Sequence, residues 1–163
     1  MGELKLKKRH RLRNKEIRRI SEQLSEVFGK DFDFEGEDVD KANALNLEFI
    51  ILKSEIFGII VDSTPFLTVK GLLKYKPERR FVTVDMGAVK FICSGADVMC
   101  PGIVDADVSI EEGNLVWIRD EKNLQPLAIG KALMSGQEMI EFNRGKAVKT
   151  IHHVGDRIWG LEC

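Results

Sequence analysis

The chain has 163 residues, of which 44% are hydrophobic and 31% charged, and its formal net charge is −1. That composition excludes a disordered or collagen-like chain. No apolar run approaches the roughly 20 residues of a transmembrane helix, so a soluble protein of one medium or two small domains is expected, with no membrane partner.

The near-neutral total conceals segregation. Lys5, Lys7, Lys8, Arg9, Arg11, Arg13, Lys15, Arg18 and Arg19 crowd the start, and Asp31, Asp33, Glu35, Glu37, Asp38 and Asp40 follow at once. A second basic group, Lys70, Lys74, Lys76, Arg79 and Arg80, precedes a stretch over 97–120 that is acidic except for Arg119. Such separation leaves room for basic faces on a neutral molecule. The first fifteen residues are charged and are not followed by the apolar stretch of a secretory signal, which predicts a cytoplasmic protein.

The arm over 5–13 is too charged to enter a core. Over 14–28, Ile17, Ile20, Leu24 and Val27 recur at three and four, which predicts an amphipathic helix with Asn14 as its cap and Gly29 as its stop. Runs over 45–52 and 56–61 are rich in strand formers and are separated by Lys53-Ser54-Glu55, the pattern of a hairpin with Leu47, Phe49 and Ile51 on one face. Thr64-Pro65 reads as a helix start, with Phe66, Val69 and Leu73 as its apolar stripe and Lys70 and Lys74 on another face. Pro77 disfavours helical backbone at Lys76. A boundary there gives an N-terminal α/β domain with a basic arm over 1–77 and a second domain over 78–163.

Beyond Pro77 the sequence breaks into short strands over 81–84, 103–108, 115–119, 127–134, 147–154 and 158–161, punctuated by glycine. Evenly spaced short strands predict a small closed barrel or sandwich, and the whole chain is of the α+β class. Two helices interrupt the strands. Asp85 caps a short one that runs through Val89 to Ile92 and ends at Ser94-Gly95. Ser135-Gly136-Gln137-Glu138 is a reciprocal capping box ahead of Met139, Ile140 and Phe142, with Gly145 at the stop.

No catalytic set assembles, and the chain is not expected to be an enzyme. Ser94 lies in Cys-Ser-Gly-Ala rather than G-x-S-x-G, and adjacent His152 and His153 on a strand point to opposite faces. Asp105, Asp107, Glu111 and Glu112 read as a solvated strand end and turn. The glycines form no phosphate loop. Cys93, Cys100 and Cys163 have neither disulfide nor zinc spacing and read as inert thiols, so no metal or cofactor is expected. Trp117 and Trp159, inside predicted strands, read as core.

One run of residues is more specific. Val84-Asp85-Met86-Gly87-Ala88-Val89-Lys90-Phe91, then Ser94-Gly95-Ala96-Asp97-Val98-Met99-Cys100-Pro101-Gly102-Ile103, closely resembles the PUA domain, named for pseudouridine synthases and archaeosine transglycosylase. Ala128-Ile129-Gly130-Lys131-Ala132 and Arg144-Gly145-Lys146-Ala147-Val148 follow in the family's order. Thr64 to Tyr75 resembles the segment joining the two domains of the malignant T-cell amplified sequence family and its archaeal relatives, which are ribosome-associated translation factors.

That resemblance implies a PUA-type β-barrel with two short helices that binds structured RNA, tRNA or rRNA, without catalysis. It places RNA along the first short helix, the next strand and the last strands, which implicates Lys90, Ser94, Gly95, Ala96, Pro101, Gly102, Ile103, Lys146 and Lys149. Arg9, Arg11, Arg13, Arg18, Lys70, Lys74, Arg79 and Arg80 form a secondary basic surface. The implied partners are the small ribosomal subunit and a translation-factor or RNA-modification protein. Glycine and alanine leave the backbone open to phosphates. A face without splayed aromatics suits a stem or its end, read by shape. Asp97, Asp105 and Asp107 place negative charge nearby. An accessory subunit of an RNA-modifying enzyme and a protein–protein scaffold are the alternative roles.

Overall fold

The computed structural model describes residues 4–163. They form two compact units, one taking in residues up to Pro77 together with Gly160–Cys163, the other Glu78–Trp159. Among the described residues no helix is long and apolar enough to cross a membrane.

The first unit is a five-stranded antiparallel meander of β1 (Lys7–Arg11), β2 (Val39–Ala44), β3 (Leu47–Leu52), β4 (Glu55–Val61) and β5 (Thr64–Leu67), joined by α1 (Asn14–Phe28) and followed by α2 (Val69–Tyr75). Three connections are two-residue turns with both φ angles positive, at Leu45-Asn46, Lys53-Ser54 and Asp62-Ser63. That geometry matches the right-handed twist of the strands it joins, so each hairpin closes tightly. Ile17, Ile20, Leu24 and Phe28 of α1 are buried, and the Phe28 ring lies 4.9 Å from that of Phe66 on β5.

Here the structure corrects two expectations, while the basic arm stays out of the core as its charge predicts. The basic arm is an edge strand whose five residues are all exposed while its backbone pairs with β2. Asn14 opens α1 rather than capping it; Arg13 holds the cap position and supplies no side-chain bond. Thr64-Pro65 starts a strand, not a helix. Pro65 is tolerated because β5 is a sheet edge, where a missing N–H costs no ladder bond. The helix begins four residues later, where Thr68 accepts the Gly71 N–H, and it ends at Lys76 in the left-handed region. Gly29 stops α1 in the left-handed conformation, as its position predicts.

The second unit is a near-closed six-stranded barrel in the order β7-β11-β10-β9-β6-β8. Its strands are β6 (Phe81–Val84), β7 (Val98–Met99), β8 (Ile103–Ala106), β9 (Leu115–Asp120), β10 (Pro126–Ala132) and β11 (Lys146–His153), with helices α3 (Met86–Ile92) and α4 (Gly136–Glu141). All pairs are antiparallel except β6 with β9. The end strands β7 and β8 are consecutive in sequence, joined by one 3-10 turn, Cys100–Gly102. The barrel seam therefore falls on that turn. Val82, Val84, Ile92, Val98, Val116, Ile118 and Val148 fill the interior.

Both predicted caps are present: Asp85 accepts the Ala88 N–H on α3, and Ser135 with Glu138 forms the reciprocal box on α4. Residues 158–161 are not a strand. Asp156 accepts the Trp159 N–H at 2.8 Å and fixes a turn, which takes Trp159 out of any sheet. Trp117 is core, with its indole N–H given to the Arg79 carbonyl at 2.7 Å.

Candidate nucleic-acid interface

The nine residues implicated in the barrel lie on one continuous stretch, because local backbone bonds tie α3, the seam and β11 together. The Asp85 N–H donates to the Gly102 carbonyl at 2.9 Å, which seats the 3-10 turn against the start of α3. A Cβ on Gly102 would stand 3.2 Å from that of Ala88, so glycine lets turn and helix approach. At the other end of α3 the Ala96 N–H returns to the Phe91 carbonyl, and Thr150 Oγ donates to the Ala96 carbonyl. β7 is paired with β11, Met99 opposite Lys146 and Val98 opposite Val148.

Lys90, Ser94, Gly95, Ala96, Pro101, Lys146 and Lys149 are exposed on this stretch, whereas Gly102 and Ile103 are partly covered. Gly95 has φ +95°, a conformation that favours glycine. His153 stands behind it, its Nε2 3.2 Å from where a Cβ would be.

Two features change the electrostatics expected of this face. Lys146 is engaged: its ammonium lies 2.9 Å from Asp97 Oδ2, while Asp97 Oδ1 accepts the Thr150 N–H. The Lys146 hydrogen bond foremost, with that of Thr150, holds the Asp97 carboxyl below its ordinary range, and Lys149 adds attraction. Lys149 and Lys90 are thus the less encumbered cations. The second feature is an aromatic ring where none was expected. Phe91 is 58% exposed, with the Lys90 ammonium 5.1 Å from its centroid. Its neighbours Val89 and Ile92 turn inward, so helical spacing alone sets Phe91 apart, a signal present in the sequence and left unused.

The secondary basic surface is less available than the charge count implies. Arg9 and Arg11 both bond Asp40, at 2.8 and 2.5 Å; Arg11 also meets Asp38, and Arg18 meets Glu35 at 2.5 Å. Lys74 faces Glu55 at 3.4 Å. Arg13 and Lys70 are exposed on α1's cap and on α2. Arg79 is exposed, but Arg80 is half-buried, reaches the Leu115 carbonyl, and has its backbone N–H on Asp107 at 2.7 Å. Burial pushes the Arg80 guanidinium below its usual range. These two precede β6 whereas α3 follows it, so they do not join the glycine-lined stretch. Asp107, capped by Arg80 and Ser109, is a structural carboxylate.

Residues 80–154 match the PUA domain family. Over 162 residues the chain is 40% identical to an uncharacterized protein of Methanocaldococcus jannaschii, covering 98% of this chain and 99% of the relative. It is 32% identical to Translation machinery-associated protein 20 of Saccharomyces cerevisiae over 75% of this chain and 68% of the yeast protein. The fold superposes on a hypothetical protein of Pyrococcus horikoshii with a TM-score of 0.86 and 42% identity, covering 93% of this chain and 98% of the other.

Proposed function

This chain belongs to the family of PUA-domain proteins that includes Translation machinery-associated protein 20, and from that premise we propose that it binds structured RNA, tRNA or rRNA, as a non-catalytic, ribosome-associated translation factor. The observation that carries the reading is the convergence of Lys90, Gly95, Ala96, Pro101, Lys146 and Lys149 on the stretch where the barrel closes. There small residues leave the backbone approachable and lysines stand beside it, the arrangement that phosphate contacts require. Recognition is by shape and 2′-hydroxyls rather than by base edges in a deep groove.

The test is a titration of full-length protein against a structured RNA. Reversing Lys146 and Lys149 to Glu lowers affinity by roughly tenfold or more, since the lost Lys149 contact and the negative charge added at both positions are together worth about 1.4 kcal/mol or above. The same reversal at Lys122, in the turn after β9, leaves affinity unchanged. Equal affinity of the double variant and wild type overturns the assignment.

A further inference from the structure

The basic residues of the first unit divide by what they face. Arg9, Arg11 and Arg18 each hold a carboxylate, whereas Lys5, Lys7 and Lys8 make no ion pair among the described residues. These three lysines line an open cleft of about 640 Å3 between the start of β1 and the β2–β3 hairpin. Its volume falls within the roughly 300–1,000 Å3 of ligand-binding clefts. The other wall supplies the side-chain amides of Asn43 and Asn46 and the apolar Leu45 and Leu47.

Glu48 is the one carboxylate in the lining, and the Lys41 ammonium holds it at 2.6 Å. The cleft therefore keeps the charge of its lysines. At this point β1 is irregular: its register with β2 shifts between Lys7 and His10, and Lys8 has φ +55°. Such a bulge re-aims side chains that a regular strand would alternate between faces. Lysines on an edge strand also discourage edge-to-edge pairing. That role needs charge alone, not a concave wall of amides and leucines.

We propose that this cleft holds an unpaired RNA segment, with Lys5, Lys7 and Lys8 on successive phosphates, the Asn43 amide donating to the strand, and sugars or bases against Leu45 and Leu47. A duplex would offer the lysines its phosphates but could not lay bases on the leucines. The inference rests on the RNA-binding reading above and adds a site on the other unit.

The experiment uses the full chain with two labelled probes, a short oligouridylate and a stem-loop RNA, titrated from about 50 to 200 mM salt. The K5Q/K7Q/K8Q variant should lose at least about fivefold affinity for oligouridylate, and its log–log salt slope should fall by about 2, at roughly 0.7 per phosphate on a single strand. K5R/K7R/K8R should restore both. Asn43→Ala should lower affinity without changing the slope. If the glutamine variant matches wild type while K146E/K149E abolishes binding of both probes, the cleft is overturned and the barrel interface stands. If K146E/K149E changes nothing and the glutamine variant loses oligouridylate, the cleft stands and the barrel assignment falls. No binding of either RNA by the wild type overturns both, and an unchanged glutamine variant reduces the lysines to a solvated strand edge.

Discussion

Asp97 is the residue on which the barrel face turns, because it both orders and neutralises. It fixes Lys146 and accepts the Thr150 N–H, so it fastens the 94–97 loop to β11. It also removes a positive charge from a ligand. Asp97→Asn retains an oxygen for Thr150 and releases Lys146. RNA affinity should then rise a few-fold at low salt, measured by fluorescence anisotropy; a fall would mean that the carboxylate serves to aim Lys146. Gly130 tests the other side of β11. A Cβ there would sit 2.4 Å from the Lys149 carbonyl oxygen and 2.6 Å from a Val148 methyl. Gly130→Ala must push β10 and β11 apart, with an expected cost of about 1–3 kcal/mol in urea melts. Lys149 would move with its backbone, so RNA affinity should drop as well.

At the level of elements, β1 is held by charge as well as by its ladder. Asp40 receives both Arg9 and Arg11, and the Arg11 bond foremost, with that of Arg9, keeps its carboxyl below the ordinary range. A depressed native pKa contributes stability above the unfolded value of about 3.9, and that contribution disappears as pH falls through the native value. Wild type should therefore be more stable than Asp40→Asn near pH 6, and the gap should close as the pH drops below roughly 4, followed by thermal melts. The α2 cap supplies a second test. Thr68→Ala should cost about 1 kcal/mol, whereas Thr64→Ala on the exposed strand end should cost far less. The contrast explains what was legible in the sequence. The Asp85 cap and the Ser135 box were, because donor and acceptor lie within four residues of each other. Thr64-Pro65 was not, because the same pair suits an edge strand, and only pairing with β4 decides between them. The acidic block over 31–40 likewise shows no partner in sequence. Asp40 finds Arg9 and Arg11 only once β2 lies beside β1, so the sequence shows the charge of the secondary basic surface but not its ion pairs.

For the whole molecule, the net charge of −1 makes binding to RNA depend on which cations stand at the two proposed sites rather than on the overall charge. On the barrel's glycine-lined stretch these are Lys90 and Lys149, and at the cleft of the first unit Lys5, Lys7 and Lys8, whereas Arg9, Arg11 and Arg18 are spent on carboxylates. A protein relying on so few phosphate contacts should respond measurably but not steeply to salt, with a log–log slope of about 4 if all five act at 0.7–0.9 each. Binding of the full-length chain to isolated small ribosomal subunits, followed by sedimentation, is the assay for the proposed role. Wild type should pellet with subunits at about 50 mM salt and be largely released by about 200 mM. The chain with all five lysines changed to glutamine should stay in the supernatant throughout. Persistence of that variant in the pellet would mean that apolar contacts, with exposed Phe91 foremost, carry the association. Failure of the wild type to pellet at any salt, alongside intact binding to a free stem-loop, would separate RNA binding from the ribosome and remove the translation-factor reading while leaving the interface in place.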